Sequence, residues 1–278
     1  MRYVDPSFNI EEDTPVNLVA KAAHNCYQVE KNKDPEDFLL RLKGFHHYAV
    51  FEFGTFVVKG DEELFREIGD DDPFVVIFKP YVRFSFRPLL ENPQKYGPLI
   101  DILGSAYAFL FKEHEYKKPL GKVLSEEETA ALPLEVYKKM KFVVVSLITD
   151  RGVTHELVRH RLCSFAQEST RYCNYAKDKF GKEITVIRPL DYDLHQAIYD
   201  KAFKEAEDSY FALLKEGSTP EMARAVLPNK LKAKIFFGCD VEEMEHIMEL
   251  RTAERAHPDI RTLFLSLEAE LKKRGILR

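Results

Sequence analysis

Cysteine is scarce in this chain: Cys26, Cys163, Cys173 and Cys239 are its four in 278 residues. They lack paired CxxC spacing and sit in apolar or helical contexts, so they read as reduced thiols, mostly core, rather than a disulfide framework. Long apolar runs are also missing, since a stretch such as Phe142 to Ile148 falls far short of the roughly 20 residues that a membrane helix needs. Nor is there an excess of positive charge. With 41 Lys and Arg against 46 Asp and Glu, the formal net charge is -5. The chain as a whole therefore does not attract nucleic acid or an anionic membrane, and any phosphate must be met by a local cluster of cations. That points to a small phosphorylated ligand. No glycine-rich phosphate loop of either common pattern occurs. The opening MRYVDPSFNIEEDTP has no basic region leading into an apolar core, so no secretory signal is expected and a cytoplasmic location is.

The chain does have material for a core: 45% of its residues are hydrophobic and 12% aromatic. One large domain over 1–278 is the expectation, with an inserted segment at about 60–141. Val19, Ala22, Ala23, Cys26 and Tyr27 recur at helical spacing, Tyr48 to Val58 reads as a strand, and His46 and His47 read as strand-face residues. Gly69 to Pro73 is an acidic turn. Tyr81 to Arg87 alternates as a strand, with Val82, Phe84 and Phe86 on one face. A helix is expected around Leu99 to Phe111, and Ser125 with Glu128 makes a capping-box pattern. Lys138 to Ile148 fits a buried strand or a continuing helix, and helix is preferred. Glu183 to Arg188 reads as a strand and Tyr192 to Lys215 as a helix closed by Gly217. Thr219 followed by Pro220 starts a helix that stops near Pro228. Asp240 and Glu243 open another, with Met244, Ile247 and Met248 as its apolar stripe, and Ile260 to Leu271 forms the last. The fold class is α+β: a mixed or antiparallel sheet packed with helices.

The chemistry is concentrated between positions 159 and 171, where Arg159, His160, Arg161, Ser164, Gln167, Ser169 and Arg171 fall close together. Arginine forks make paired, charge-assisted bonds to phosphate, and serine hydroxyls fill the remaining lone pairs. The plainer alternative is a solvated basic face. Against it stand the apolar neighbours Leu157, Val158, Leu162 and Phe165, and the shortage of nearby acids. A zinc reading of His155, Glu156 and His160 is disfavoured, because residues five apart on a helix are separated by about 140° rather than about 40°. Arg224 and Arg251 read, from local sequence alone, as arginines that snorkel from helix ends. Tyr172 and Tyr175 read as packing residues.

The order R-H-R, seven residues, S, one residue, R, carried by Arg159, His160, Arg161, Ser169 and Arg171, resembles the signature of flavin-dependent thymidylate synthases. HYAVFEFGT from His47 to Thr55 is similar to the family's flavin-lining strand, and EMARAVLP from Glu221 to Pro228 to its nucleotide-binding helix. Asp240 to Arg251, followed by His257, Pro258, Asp259 and Ile260, is similar to its flavin-contacting helix. The stretch between the two similar parts, Asn17 to Thr55 and Phe142 to Leu267, has no evident counterpart.

The resemblance implies a catalyst that converts dUMP to dTMP by reductive methylation, with FAD as cofactor, NADPH as reductant and 5,10-methylenetetrahydrofolate as one-carbon donor. It implies that Ser169, Arg171 and Arg224 hold the deoxyuridylate phosphate and sugar, with Glu156, Arg159, Gln167 and Glu168 also at the substrate. Thr55, Arg159, His160, Arg161, Gln167, Asp240, Glu242 and His246 would face FAD, and Arg251 would stabilise negative charge on the uracil. A homotetramer with shared active sites is implied, with no metal, no nucleic-acid partner and no membrane partner. Some positions depart from the common pattern: Glu156 stands where glutamine is usual and Gln167 where glutamate is usual, Phe53 replaces a histidine, and Glu242 a frequent arginine. Two alternatives remain: a non-catalytic nucleotide- or RNA-binding module, and a relative that keeps the pocket without turnover.

Overall fold

In the computed structural model the described residues are 1–27, 34–69, 72, 74–171, 173–178 and 181–278. Their strands are β1 (Arg2–Val4), β2 (Ser7–Glu11), β3 (Thr55–Gly60), β4 (Val75–Phe78), β5 (Tyr81–Ser85), β6 (Gly121–Val123), β7 (Phe142–Asp150), β8 (Ser164–Gln167), β9 (Thr185–Ile187) and β10 (Lys232–Asp240). Antiparallel sheets packed with helices make the fold α+β.

The central sheet has the order β2-β7-β10-β8. Along β7 and β10, Phe142 lies opposite Asp240 and Asp150 opposite Lys232. Both faces are covered. Val143, Val145, Leu147, Ile235 and Phe237 pack toward the helices Val241–Arg251 and Pro258–Lys273. Val144, Phe236 and Ala166 pack with Phe53 and with Ala22 of the helix Pro15–Tyr27. A strand buried on both sides loses polar alternation and becomes a continuous apolar run. This is why the helix expected over Lys138 to Ile148 is a strand from Phe142 onward: the helix Leu134–Met140 ends, Lys141 turns extended, and β7 begins.

A second sheet, β4-β5-β3-β6, comes from the segment expected to be inserted. Phe56, Val58, Val82 and Phe84 point into a core built with the helices Pro15–Tyr27, Pro35–Gly44, Glu62–Ile68 and Gly97–Leu103. On the opposite face Thr55 pairs with Ser85, and Val57 with Arg83. Val57, Val76 and Tyr81 of that face pack against the apolar cluster of the central sheet. A third pairing, β1 parallel to β9, sits beside the helix Tyr192–Lys215.

Several boundaries differ from expectation. Tyr48–Phe53 is a 3-10 helix, and the strand begins at Thr55. Between them Gly54 packs so closely that an added Cβ would lie 2.5 Å from the Phe86 ring. His46 and His47 precede that helix and are exposed, so neither is a strand-face residue. Phe86 is buried as expected but opens the helix Phe86–Glu91. The helix around Leu99 stops at Leu103 and continues as a 3-10 turn, Gly104–Tyr107. Of the acidic turn, Asp70, Asp71 and Pro73 lie outside the described residues, as does Tyr172. The capping box at Ser125 and Glu128 forms, and Thr219 caps the helix Pro220–Ala223.

Candidate functional site

Asp150, at the end of β7, fixes the start of the 151–171 segment. Its carboxylate accepts from the Val153 N–H at 2.8 Å and pairs with Lys230 Nζ at 2.9 Å, and Lys230 also binds Asp259. One lysine thus ties β7, the approach to β10 and the last helix to one point. The helix Arg151–Leu157 then ends, and two tight turns, His160 N–H to Leu157 C=O and Cys163 N–H to His160 C=O, both 3.1 Å, lead into β8. His160 therefore lies beyond the helix that carries His155 and Glu156.

A first group forms where this turn meets the end of the helix Val241–Arg251. Arg251 Nε donates to His160 Nε2 at 3.0 Å, Nη1 to a Glu156 carboxylate oxygen at 3.0 Å, and Nη2 to the Glu156 carbonyl at 2.9 Å. The arginine is held on three sides, not snorkelling. Because His160 Nε2 accepts, its proton sits on Nδ1 and is donated to Glu243 at 3.3 Å. Burial, with the Arg251 charge and the His246 ring beside it, lowers the imidazole to about 4, so it is neutral at pH 7. The His246 ring lies 6.1 Å from it, edge-on. Asp240 caps this helix by accepting from the Glu243 N–H at 2.9 Å, but the Glu243 side chain turns to His160 instead of completing a capping box.

A second group surrounds the turn after β8. Arg171 Nε pairs with Glu221 at 2.8 Å, and Arg224 Nη1 donates to the Thr170 hydroxyl at 3.3 Å. The Arg171 N–H points at the Ser169 hydroxyl, 3.3 Å away. Arg151, Thr170 and Arg224 line a cavity of about 170 Å³. Ser169, Arg171 and Arg224 are thus brought together. Gln167 donates to Thr154 at 3.1 Å. Glu168 is an internal anchor: it is buried, pairs with Lys232 at 2.7 Å and accepts from the Lys234 N–H at 3.2 Å.

A third group is a cavity of about 180 Å³ between the second sheet and the 161–164 turn, lined by Thr55, Arg161 and Ser164 together with Arg83 and Ser85. Arg83 Nη2 pairs with Asp240 at 2.9 Å, and its guanidinium lies 5.2 Å over the Phe142 ring. Glu242 is exposed and paired with Lys139 at 2.7 Å, away from these groups. Phe53 is fully buried, edge-on to Phe236. Arg159 is exposed. Tyr175 packs against Tyr210 in a small core. Cys173 and Cys239 are buried, and burial pushes the Cys239 thiol well up and the Cys26 thiol to about 11, which suits packing rather than nucleophilic attack.

Sequence reasoning missed Arg83, Ser85, Arg151, Thr170 and Glu243. For Arg83 and Ser85 the signal was present: if Val82 and Phe84 face the core, alternation puts their neighbours on the other face. For Glu243 it was misleading, because the capping-box spacing accounted for the residue without the imidazole.

The family described as thymidylate synthase complementing protein matches residues 115–274. Among curated relatives, proteins named flavin-dependent thymidylate synthase are 34% identical over 118 residues in Geobacter sulfurreducens, 36% over 124 in Saccharolobus solfataricus and 34% over 132 in Pyrococcus abyssi. These stretches cover 42%, 45% and 46% of this chain and 50%, 46% and 53% of the relatives, so the chain spans about half the length of the curated relatives it matches. The family match covers more than half of the chain and contains the Arg159 to Arg171 motif, Arg224 and Arg251, so the chain belongs to the thymidylate synthase complementing protein family.

Proposed function

We propose that this chain is an FAD-dependent thymidylate synthase, which methylates dUMP reductively to dTMP with 5,10-methylenetetrahydrofolate and NADPH. The observation that carries this reading is the seating of Arg251 on neutral His160 and Glu156, joining two distant parts of the chain in one charge-bearing group. A fixed guanidinium beside a pyrimidine ring favours the ionised ring and raises electron density at the carbon to be alkylated. His160 accepts from Arg251 without adding a second positive charge.

Ser169, Arg171 and Arg224 hold the deoxyuridylate phosphate in this reading, with Glu156, Arg159 and Gln167 as the remaining substrate set, while Glu168, buried against Lys232, supports the turn from inside. Thr55, Arg161, His160, Asp240 and His246 serve FAD. The residues present fit a phosphate-bearing cofactor: the third cavity has arginines and hydroxyls on its walls, and the Arg83 Nε and Ser85 Oγ atoms are buried with no hydrogen-bond partner. When bound, the flavin supplies the hydride chemistry and the protein supplies orientation and electrostatics. Glu242 contributes less than the resemblance implies, because its carboxylate is turned to Lys139. The functional unit is a cytoplasmic homotetramer whose subunits share sites, and the segment at about 60–141 is an insertion in a single domain.

Purification followed by a visible spectrum and a dUMP titration tests this. The purified protein should be yellow, and Arg171→Ala should weaken dUMP binding about tenfold through the loss of a charge-assisted pair. A colourless protein that cannot be loaded with FAD would defeat the proposal. So would binding that falls steeply with salt and favours RNA over the mononucleotide.

A further inference from the structure

We propose that Arg83 and Ser85, on β5 and outside the family-matched residues, form a subsite for a phosphate or diphosphate group. Arg83 is 9% exposed and Ser85 4%, and both line the 180 Å³ cavity. One Arg83 nitrogen, Nη2, is spent on Asp240, while Nε has no hydrogen-bond partner among the described residues, and neither has the Ser85 hydroxyl. A buried donor left unmet costs free energy, and a guanidinium can only donate, so whatever satisfies Nε is an acceptor.

The register makes the cavity a built feature. Ser85 opposite Thr55 puts two hydroxyls side by side on the sheet face that carries Arg83, and Arg161 and Ser164 close the far wall. The acid that lines this cavity, Glu52, is bound to Arg87; Arg83 is paired with Asp240, and Arg161 has no salt bridge among the described residues. Donors that converge from two walls, with Arg161 carrying the cavity's unpaired charge, suit a tetrahedral oxyanion. A cavity of about 180 Å³ has room for a diphosphate. The ring of a flavin dinucleotide would lie outside it, with its diphosphate inside. Naming that dinucleotide as the source of the phosphate rests on the function proposed above; the oxyanion subsite itself does not.

The test is calorimetric titration of the full chain with inorganic pyrophosphate, for the unmodified protein, Ser85→Ala and Arg83→Lys. Ser85→Ala removes one hydroxyl and no charge, and Arg83→Lys keeps a cation beside Asp240 but removes the Nε–H. Each should weaken pyrophosphate binding about tenfold, with an unchanged melting temperature for Ser85→Ala showing that the fold is intact. FAD affinity should fall in parallel and riboflavin affinity should stay within twofold. No pyrophosphate binding by the unmodified protein, or binding by both variants as tight as that of the unmodified protein, would overturn the subsite. Displacement of pyrophosphate by FAD and not by dUMP supports the dinucleotide as source, and displacement by dUMP alone overturns that source. If pyrophosphate binds and the variants lose it while FAD never binds, the flavin function fails and the oxyanion subsite stands.

Discussion

Arg251 has a carboxylate against it that an incoming anionic ring would have to displace. Glu156 takes the Nη1 proton at 3.0 Å, and its side chain is 31% exposed, so it can turn away. Glu156→Gln should therefore tighten dUMP binding, by up to about tenfold, since a neutral amide competes less well for the guanidinium. Titration of both proteins with dUMP checks this, and weaker binding by the variant would show that the carboxylate holds the substrate directly. His160 gives a pH signature whose sign follows from its lowered value. As pH falls through 6.5 the unfolded chain takes up a proton that the folded chain refuses until about 4, so stability falls across that window and levels off below it. Urea midpoints at several pH values should show a shallower fall for His160→Gln than for the unmodified protein. Identical slopes would mean that the imidazole is not held neutral.

At the scale of the elements, Asp240 has two roles: it caps the helix Val241–Arg251 through the Glu243 N–H, and it pairs with the buried Arg83. Asp240→Asn keeps an acceptor for the cap but removes the charge, and stranding a buried arginine costs about 3 to 5 kcal/mol. Asp240→Ala should cost about 1 kcal/mol more, from the lost cap. Denaturant midpoints for the two variants separate these effects, and a loss below about 1 kcal/mol for Asp240→Asn would show that Arg83 is not committed to this partner. Helix starts were legible in the sequence at Ser125, Thr219 and Asp240, because capping is local chemistry, but the starts capped by Asp34, Asp61 and Asp150 were not picked out. β7 was not legible as a strand, since its neighbours on both faces come from distant parts of the chain and leave no alternation. Tyr48 to Phe53 misled for a similar reason: the close contact of Gly54 with Phe86 is a tertiary constraint that local preference cannot show.

At the scale of the molecule, the arginines of the motif stand on an open surface. Arg159, Arg161, Arg171 and Arg224 are exposed, and beside them Leu162 is 80% and Met222 68% exposed. The shared sites proposed above would cover such apolar side chains in the assembly. Light scattering should give a tetramer, and Leu162→Glu should shift it to smaller species with loss of bound flavin. A monomer at micromolar concentration would contradict shared sites. The arginines of the site could be picked out from their spacing; the segment at about 60–141 could not be assigned, because Arg83 and Ser85 acquire meaning only once β5 is set against the 161–164 turn.

The most direct test of the central claim, that Arg251 seated on neutral His160 serves a reductive methylation of dUMP, is tritium release from dUMP labelled at the uracil carbon to be alkylated. The assay contains FAD, NADPH and 5,10-methylenetetrahydrofolate. Release by the unmodified protein that drops at least about a hundredfold in Arg251→Ala, with flavin still bound, is the predicted result, on the scale of losing one preorganised electrostatic group. Flavin-loaded tetramer that binds dUMP and releases no tritium, or an Arg251→Ala variant that turns over as fast as the unmodified protein, would contradict it.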